Sequence, residues 1–297
     1  MNQTKIVALS AAAAAAVFLA IAISPLSWAK GTSGGLIGES LINSPEDAFA
    51  YADIAMEEAR RIWDEHPSGW EATAQVNVNP EGGLIVEARR VTEGPFATSG
   101  VLLTRARATL DPSKLGHGNH TADTVFRFLV SPEGYQVIDP ISDIEEFSKF
   151  IERYPGWKGH LLGEGGEEQA SPENETRLET ADAYVNLGVL RRNFVVLNAI
   201  DGRERTMVSK SVLHKDRPGS SIYYSGPDNV QYGTPDAKQV RALNTFGLRV
   251  KWADDLISVE MINWADISLH SSMMNWVNCK FFFGGVFGRL KLALDAK

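Results

Sequence analysis

The first strong pattern along the chain is a helical repeat of apolar residues. Ser44 suits the N-cap, Pro45 suits the first helical position, and Asp47 occupies the capping-box position. Apolar side chains then recur at intervals of three or four and form one stripe, which consists of Phe49, Ala52, Met56, Ala59 and Trp63. The pattern predicts an amphipathic helix that ends before Pro67.

From residue 70 the apolar positions alternate with polar ones, which is typical of half-buried strands. A turn at 79–83 separates the first two predicted strands, and a proline turn at 131–134 lies between two later ones. The strands predicted in this half are 70–78, 84–91, 101–110, 124–130 and 135–138. A second amphipathic helix is predicted over 142–154, with Ile144, Phe147, Ile151 and Tyr154 on one face.

Residues 163–180 are strongly acidic and lack large apolar groups apart from Leu178, so they predict an interdomain linker over 161–180 or a flexible surface segment. After it the alternation returns in two predicted hairpins, 193–213 around Asp201-Gly202 and 246–264 around 253–255. Residues 218–235 are rich in Gly, Pro, Ser and Tyr and predict a long loop. The segment 281–297 fits either a strand pair or a short final helix.

Together these elements predict an α+β protein that is rich in antiparallel sheet, with helices packed on one face of the sheet. Two lobes are expected, an α+β domain over 44–160 and a β-rich domain over 181–297, joined by the acidic linker. We find no internal repeat of fixed period.

The first 29 residues have the order of a secretory signal peptide. Lys5 gives the positive start, an apolar run covers 6–23, and Pro25 breaks the run before the small residues Ser27 and Ala29. This order predicts export out of the cytoplasm, to a periplasmic or secreted location. Because the run approaches the roughly 20 residues that span a bilayer, an uncleaved signal anchor is the alternative.

Residues 30–43 are rich in glycine and predict a flexible tether between this segment and the folded body. Membrane contact is expected only through 6–23, and only if the signal is not cleaved. The formal net charge of −8 argues against nucleic acid as a partner. The single cysteine, Cys279, excludes an intramolecular disulfide, and we interpret it as a small buried side chain.

The loop 116–123 is the candidate metal site. His117 and His120 are three positions apart and Asp123 follows, a ligand set that could hold zinc. The alternative is a polar loop whose histidines face water. Apart from this possible zinc, the sequence predicts no cofactor.

The loop 220–227 is the candidate ligand-binding site, with Tyr223 and Tyr224 in it and Tyr232 beyond it. Tyrosine, serine and glycine are typical of recognition loops, because they combine aromatic surface with adaptable hydrogen bonding. Alternatively, the tyrosines only close one edge of the core. The aromatic residues of the last third predict core packing, an apolar ligand cavity or an oligomer face.

No linear catalytic motif is present: a nucleophile elbow, a zincin motif, a redox dithiol and a P-loop are all missing. The sequence therefore favours a non-catalytic role and leaves open whether the chain is an enzyme. The sequence predicts an exported cell-envelope binding or scaffold protein whose partner is an unknown ligand or an envelope protein. Two alternatives stay open, an extracytoplasmic hydrolase without a linear motif and a membrane-anchored structural subunit of an envelope assembly.

Overall fold

The structure of the chain is a computed structural model, and it describes residues 36–37, 40–42, 45–76, 83–92, 99–116, 118–139, 142–147, 176–187, 190–214, 224–225, 231–232, 239–241, 243–266 and 271–296. The helices are α1 (Pro45–Asp64), α2 (Ala122–Leu129), α3 (Pro132–Ile138), α4 (Ser271–Val277) and α5 (Phe283–Asp295). A π-helical turn (Asn278–Phe282) joins α4 to α5, and 3-10 turns occur at Pro67–Gly69 and Pro112–Lys114.

The strands are β1 (Ser40–Ile42), β2 (Glu71–Val76), β3 (Leu84–Arg90), β4 (Leu102–Leu110), β5 (Ser142–Phe147), β6 (Thr176–Leu187), β7 (Leu190–Asp201), β8 (Thr206–His214), β9 (Tyr224–Ser225), β10 (Gln231–Tyr232), β11 (Gln239–Arg241), β12 (Leu243–Ala253) and β13 (Leu256–Asp266). Of β1, β5, β6, β9, β10 and β11 only the backbone is described.

Within the described residues, one large sheet holds eleven of these strands. Its order is β2-β3-β4-β13-β12-β8-β7-β6-β5, and every neighbouring pair along this path is antiparallel. Strand β1 pairs in parallel with β8, and β11 pairs in parallel with β7. The predicted α+β class with an antiparallel sheet is confirmed.

The central strands are apolar on both faces, and the helices are divided between the two faces. Helix α1 packs on one face, which we call the α1 face, over Leu197, Val208, Ile262 and Trp264. Helices α2, α3 and α5 pack on the other, which we call the α5 face. A strand buried on both faces has few solvent-facing positions, so its polar residues are also buried.

Arg289 attaches α5 to α3 on the α5 face. Its Nε donates to the carbonyl of Val137 at 2.8 Å and its Nη2 to that of Ile138 at 3.3 Å. These are orphan carbonyls at the end of α3, which a cation satisfies well. Burial lowers the pKa of the Arg289 guanidinium.

Three predicted elements of the first half are wrong. Residues 124–130, predicted as a strand, form α2, because Thr121 caps this helix in a capping box with Thr124. Residues 135–138 belong to α3, which Ser131 caps, and not to a strand. Conversely, 142–147 of the predicted second helix form β5, and 148–154 lie outside the described residues.

The first predicted helix, the remaining predicted strands and the two hairpins agree with the structure within a few residues. The predicted turn at 131–134 lies mostly in α3, and the predicted loop 218–235 contains the short strands β9 and β10. The predicted hairpin turn of the second half is confirmed at Asp254-Asp255, where both residues have positive φ, as a tight hairpin requires. The turn after β7 is longer than the two residues predicted, because Asp201 Oδ1 accepts from the N–H groups of Arg203 and Glu204. The C-terminal segment is helix α5.

The predicted division into two domains stays a prediction, although β4 and β13, from the two sides of segment 161–180, are neighbours in one sheet. The signal segment 1–29 and residues 30–35 of the tether lie outside the described residues, so export also stays a prediction. None of the described helices combines the length and apolar character of a bilayer span.

Candidate functional site

A row of neutral polar side chains crosses the α5 face. The register pairs Asn198 with Ser209, Ser209 with Phe246, Phe246 with Asn263, and Asn263 with Thr104. We call the four polar members the polar row. They are 1%, 5%, 3% and 0% exposed, in the order Asn198, Ser209, Asn263 and Thr104. Since neighbouring strands lie about 4.8 Å apart, the row spans about 19 Å across five strands.

The neighbouring row on the same face is entirely apolar. Two positions further along each strand, the register aligns Ile200, Met207, Leu248, Met261, Ala106 and Val86. We call this set the apolar row. It belongs to the core that α2, α3 and α5 cover. The α5 face therefore changes from apolar to polar along its strands.

Some polar side chains in and beside the polar row form hydrogen bonds with the backbone. Thr104 Oγ1 donates to the carbonyl of Asn263 at 2.8 Å. On the far side of the row, Ser211 Oγ accepts from the N–H of Asn244 at 2.7 Å and donates to its carbonyl at 3.1 Å. The amides of Asn198 and Asn263 each combine two donors with an acceptor, which suits them to recognising a polar group of either kind.

Helix α4 and the π-helical turn lie at the Thr104 end of the polar row. Asn275 holds α4 at the start of β4, because its Oδ1 accepts from the N–H of Leu102 at 2.8 Å and its Nδ2 donates to the carbonyl of Gly100 at 2.9 Å. The π-helical turn follows directly and contacts β2 and β3. Such turns insert an extra residue into a helix and are frequent at functional sites.

The α1 face carries charged side chains, and these bind one another and the end of α1. Arg105 Nη1 donates to the carbonyls of Ile62 and Glu65 at 3.0 and 2.9 Å, which satisfies the C-terminal end of the helix. Its guanidinium also lies 4.2 Å from the ring centre of Trp70 and pairs with Glu87 at 2.6 Å. These contacts hold α1 on the sheet.

A groove of about 490 Å³ lies between α1 and β7 on the α1 face. Its lining residues are Ala52, Asp53, Met56, Glu57, Arg60, Ala199, Ile200 and Asp201. Arg60 is bound by Glu204, with 2.8 Å from Nε to Oε2, and lies 3.9 Å from Asp201. This cation therefore bridges α1 to the β7–β8 turn, and we assign it a structural role.

Lys210 is the titratable group whose pKa departs most clearly from its ordinary value among the described residues. It is 1% exposed on the α1 face, beside the core residues Val208 and Val212. Burial lowers its pKa from 10.5 to about 8, and the nearby Glu58 carboxylate acts against that shift. Because Lys210 faces away from the polar row, we assign this group a structural role.

The shifted pKa of Lys210 predicts a pH-dependent stability. Between pH 8 and 10.5 the unfolded chain holds the Lys210 proton and the folded chain releases it, so folding gains stability as pH rises through this range. Relative to Lys210→Met, the wild-type free energy of unfolding should rise by about 2 kcal/mol between pH 7 and about pH 9.5. Urea unfolding of both proteins at each pH measures this difference, and parallel pH profiles would contradict it.

The predicted metal ligands are only partly described. His120 is buried, whereas Asp123 is exposed and pairs with Arg205 at 3.0 Å. His117 lies outside the described residues. In the part of the chain that the structure describes, no group of three possible ligands comes together, and the zinc site stays a prediction.

The predicted tyrosine site is described by backbone alone. Tyr224 and Tyr232 are register partners in the short β9–β10 ladder, which places the two residues opposite each other. Tyr223 lies outside the described residues. The role of these tyrosines in binding stays a prediction.

Sequence reasoning missed the polar row because its members belong to different strands. Thr104 and Asn263 are 159 positions apart. One signal was present in the sequence: Asn198 lies between apolar neighbours on both sides, where a polar residue is unexpected in a buried strand.

No protein-family model and no curated protein matches the chain. Among solved structures, human STARD10 is similar at 13% identity with a TM-score of 0.48, over 81% of this chain and 80% of that one. The human StarD13 (DLC2) lipid transfer and protein localization domain is similar at 15% identity with a TM-score of 0.43, over 80% of this chain and 93% of that one.

A STAR-related lipid transfer protein from Xanthomonas axonopodis (fragment 25-204) is also similar, at 15% identity with a TM-score of 0.43, over 76% of this chain and 98% of that one. Against these comparisons, the predictions of an envelope scaffold, a hydrolase without a linear motif and an anchored structural subunit are wrong. At such low identity the activities of these proteins are not transferred to this chain.

Proposed function

We propose that the chain is a binding protein for an apolar molecule that carries a polar group, and that the molecule binds on the α5 face. The observation that carries this proposal is the polar row, a line of buried amides and hydroxyls beside the apolar row. Ligand sites combine these two features, since apolar lining provides affinity and a few placed polar groups fix the orientation.

The energetics of burial support a binding role for the polar row. Burying an amide or a hydroxyl removes it from water, and the lost hydration is a cost that other interactions must offset. A sheet that served packing alone would avoid this cost with apolar residues at Asn198, Ser209 and Asn263, as it does in the apolar row. Retaining polar groups at these positions is useful if a ligand group binds them.

Two of the similar structures have names that refer to lipid transfer, and this reference concerns those proteins. The proposal depends on this chain's own side chains and is tested on them.

Binding of Nile Red, an uncharged apolar fluorophore, tests the proposal. We expect the wild-type protein to bind the dye, and Ser209→Phe to weaken binding at least about tenfold, because the added ring would occupy the α5 face at the polar row, where we propose that the ligand binds. Thr109→Phe is the matched control, since Thr109 lies on β4 and on the opposite face from Ala108 and Leu110. It should leave binding unchanged.

A second variant removes polarity without adding bulk. Asn198→Leu keeps the side-chain volume nearly constant and should change the dye affinity without unfolding the protein, which thermal melting checks. Absence of dye binding to the wild type, or equal weakening by Ser209→Phe and Thr109→Phe, would refute binding on the α5 face.

A further inference from the structure

The groove between α1 and β7, which we call the α1–β7 groove, lies on the opposite side of the sheet from the polar row. Its base is apolar, because Ala52 and Met56 of α1 and Ala199 of β7 line it and belong to the core under α1. Its volume of about 490 Å³ lies within the range of small-molecule sites. The groove is therefore large enough for a small organic ligand, and its base suits an apolar group.

The rim of the groove is acidic. Asp53 and Glu57 line it from α1, and Asp201 lines it from the end of β7. Asp53 and Glu57 are exposed, and within the described part of the chain neither forms an ion pair. The two residues are one helical turn apart, where like charges repel each other and destabilise a helix. A bound cation would remove this repulsion.

The guanidinium in the lining, that of Arg60, is already neutralised. Its Nε lies 2.8 Å from Glu204 Oε2, whereas Asp201 is 3.9 Å away. The β7–β8 turn contains two further basic residues: Arg203 is exposed, and Arg205 pairs with α2 at 3.0 Å. Neither of them lines the groove. The carboxylates of the described lining therefore outnumber its cations, which favours a positively charged ligand.

A buried hydroxyl lies beside the carboxylate at the β7–β8 end of the groove. Thr206 is the register partner of Asp201, so the two side chains are neighbours on the α1 face. Thr206 is 2% exposed, and its Oγ1 has no hydrogen-bond partner among the described residues. Arg249, on the next strand, is balanced by Glu260 and Asp64. The hydroxyl is a further acceptor for an N–H group that binds at Asp201.

We propose that the α1–β7 groove is a second binding site, and that its ligand is an organic amine in the ammonium form. The apolar body of the amine covers the base of the groove, and its ammonium binds the carboxylates of the rim. An ammonium has three donors for these acceptors, whereas a quaternary ammonium has none. The described lining also contains no aromatic ring, the group that binds quaternary ammonium ions.

This site is independent of the function proposed for the α5 face, because the sheet separates the two. Three probes with one naphthalene body and different charges test it: 1-naphthylmethylammonium, 1-naphthylmethanol and 1-naphthoate. Equilibrium dialysis at pH 7, detected by naphthalene fluorescence, measures their affinities. The ammonium should bind at least about fivefold more tightly than the alcohol, since three carboxylates each contribute a little, and naphthoate should bind most weakly. Raising the salt from about 0.1 M to about 1 M should remove most of this preference.

A double variant identifies the carboxylates. Asp53→Asn with Glu57→Gln keeps the shape of the rim and should reduce the preference for the ammonium over the alcohol to within about twofold. Asp254→Asn with Asp255→Asn is the matched control, because it also removes two exposed carboxylates and changes the net charge equally, but in the β12–β13 turn. Asparagine tolerates the positive φ of that turn, and the control should keep the preference.

A variant of Arg60 should have the opposite effect. Arg60→Gln removes the cation from the lining and releases Glu204 and Asp201, so it should strengthen binding of the ammonium by about threefold and weaken that of naphthoate. Thermal melting checks that the variant is folded. Weaker binding of the ammonium to folded Arg60→Gln would contradict the charge argument.

The outcomes separate the two sites. Ser209→Phe, which is on the α5 face, should leave the affinity for the ammonium unchanged. If the ammonium binds and Nile Red does not, the proposed function fails and the second site stands. If the wild type does not bind the ammonium, binds the alcohol equally well, or loses the ammonium in Ser209→Phe or in the Asp254 and Asp255 control, the second site is refuted.

Discussion

Replacing Glu260 by leucine is expected to lower the free energy of unfolding by about 4 kcal/mol. Glu260 is 4% exposed and Arg249 6% exposed, and Arg249 Nε donates to Glu260 Oε2 at 2.6 Å. Without Glu260, the buried guanidinium keeps only the exposed Asp64 as an anionic partner among the described residues. The substitution therefore leaves a buried charge that is not fully compensated, which destabilises the folded state. Urea unfolding measures the change in the free energy of unfolding.

A double-mutant cycle distinguishes a buried ion pair from two independent packing residues. Arg249→Met alone should also cost about 3–5 kcal/mol, since it leaves Glu260 buried beside the more exposed Arg107 and Lys251. The double variant should cost far less than the sum, because two apolar side chains can replace a buried pair at little net cost. Additive losses would contradict the pairing.

An exposed ion pair provides the control for this cycle. Lys291 lies 2.7 Å from Asp295 on the outer side of α5, with both side chains about one-third exposed. Lys291→Gln should change the free energy of unfolding by no more than about 0.5 kcal/mol, as is usual for a surface pair. A loss similar to that of Glu260→Leu would indicate that burial is not the cause.

The elements that depend on strict alternation could be predicted from sequence. Strand β12 alternates apolar residues with glycine and charged residues from Phe246 to Lys251, and the Asp254-Asp255 turn after it has the φ values that a tight hairpin requires. Helix α1 could be predicted as well, because its stripe and Pro45 are local signals. In each case, neighbours in sequence determine the structure.

The prediction of secondary structure failed where the local composition and the tertiary packing favour different structures. Residues 122–129 contain Val125 and aromatic residues that favour a strand, yet Thr121 and Thr124 form a capping box and the apolar spacing fits a helix. The polar positions of β12 and β13 predicted a solvent-facing side, but α1 covers that face. Arg249 and Glu260 are buried there because α1 packs over them, and no local sequence pattern predicts that contact.

The polar row was beyond prediction because it exists only in the register of the sheet. Asn198, Ser209, Asn263 and Thr104 come from four strands, and a shift of one residue in any strand would turn its member to the other face. Sequence pattern defines the faces of single strands, whereas the site requires their alignment.

A second large loss of stability is expected for a substitution at the corner between α2 and α3. There, replacing glycine by alanine should destabilise the protein, although the same replacement usually stabilises a helix. Gly134 lies in α3, where replacing glycine by alanine normally stabilises a helix by about 1 kcal/mol. A Cβ at this position would lie 1.9 Å from the carbonyl oxygen of Phe128 and 2.6 Å from Leu129 Cα. Because both contacts involve backbone that cannot rotate away, Gly134→Ala should lower the free energy of unfolding by more than about 3 kcal/mol.

Gly69→Ala is the matched control, because a Cβ at Gly69 meets nothing within 4 Å. We expect it to change the free energy of unfolding by no more than about 0.5 kcal/mol. Urea unfolding of the two variants beside the wild type gives both numbers. A stabilising Gly134→Ala would mean that α3 does not pack closely against the end of α2. The cover of the apolar row would then differ from the one described.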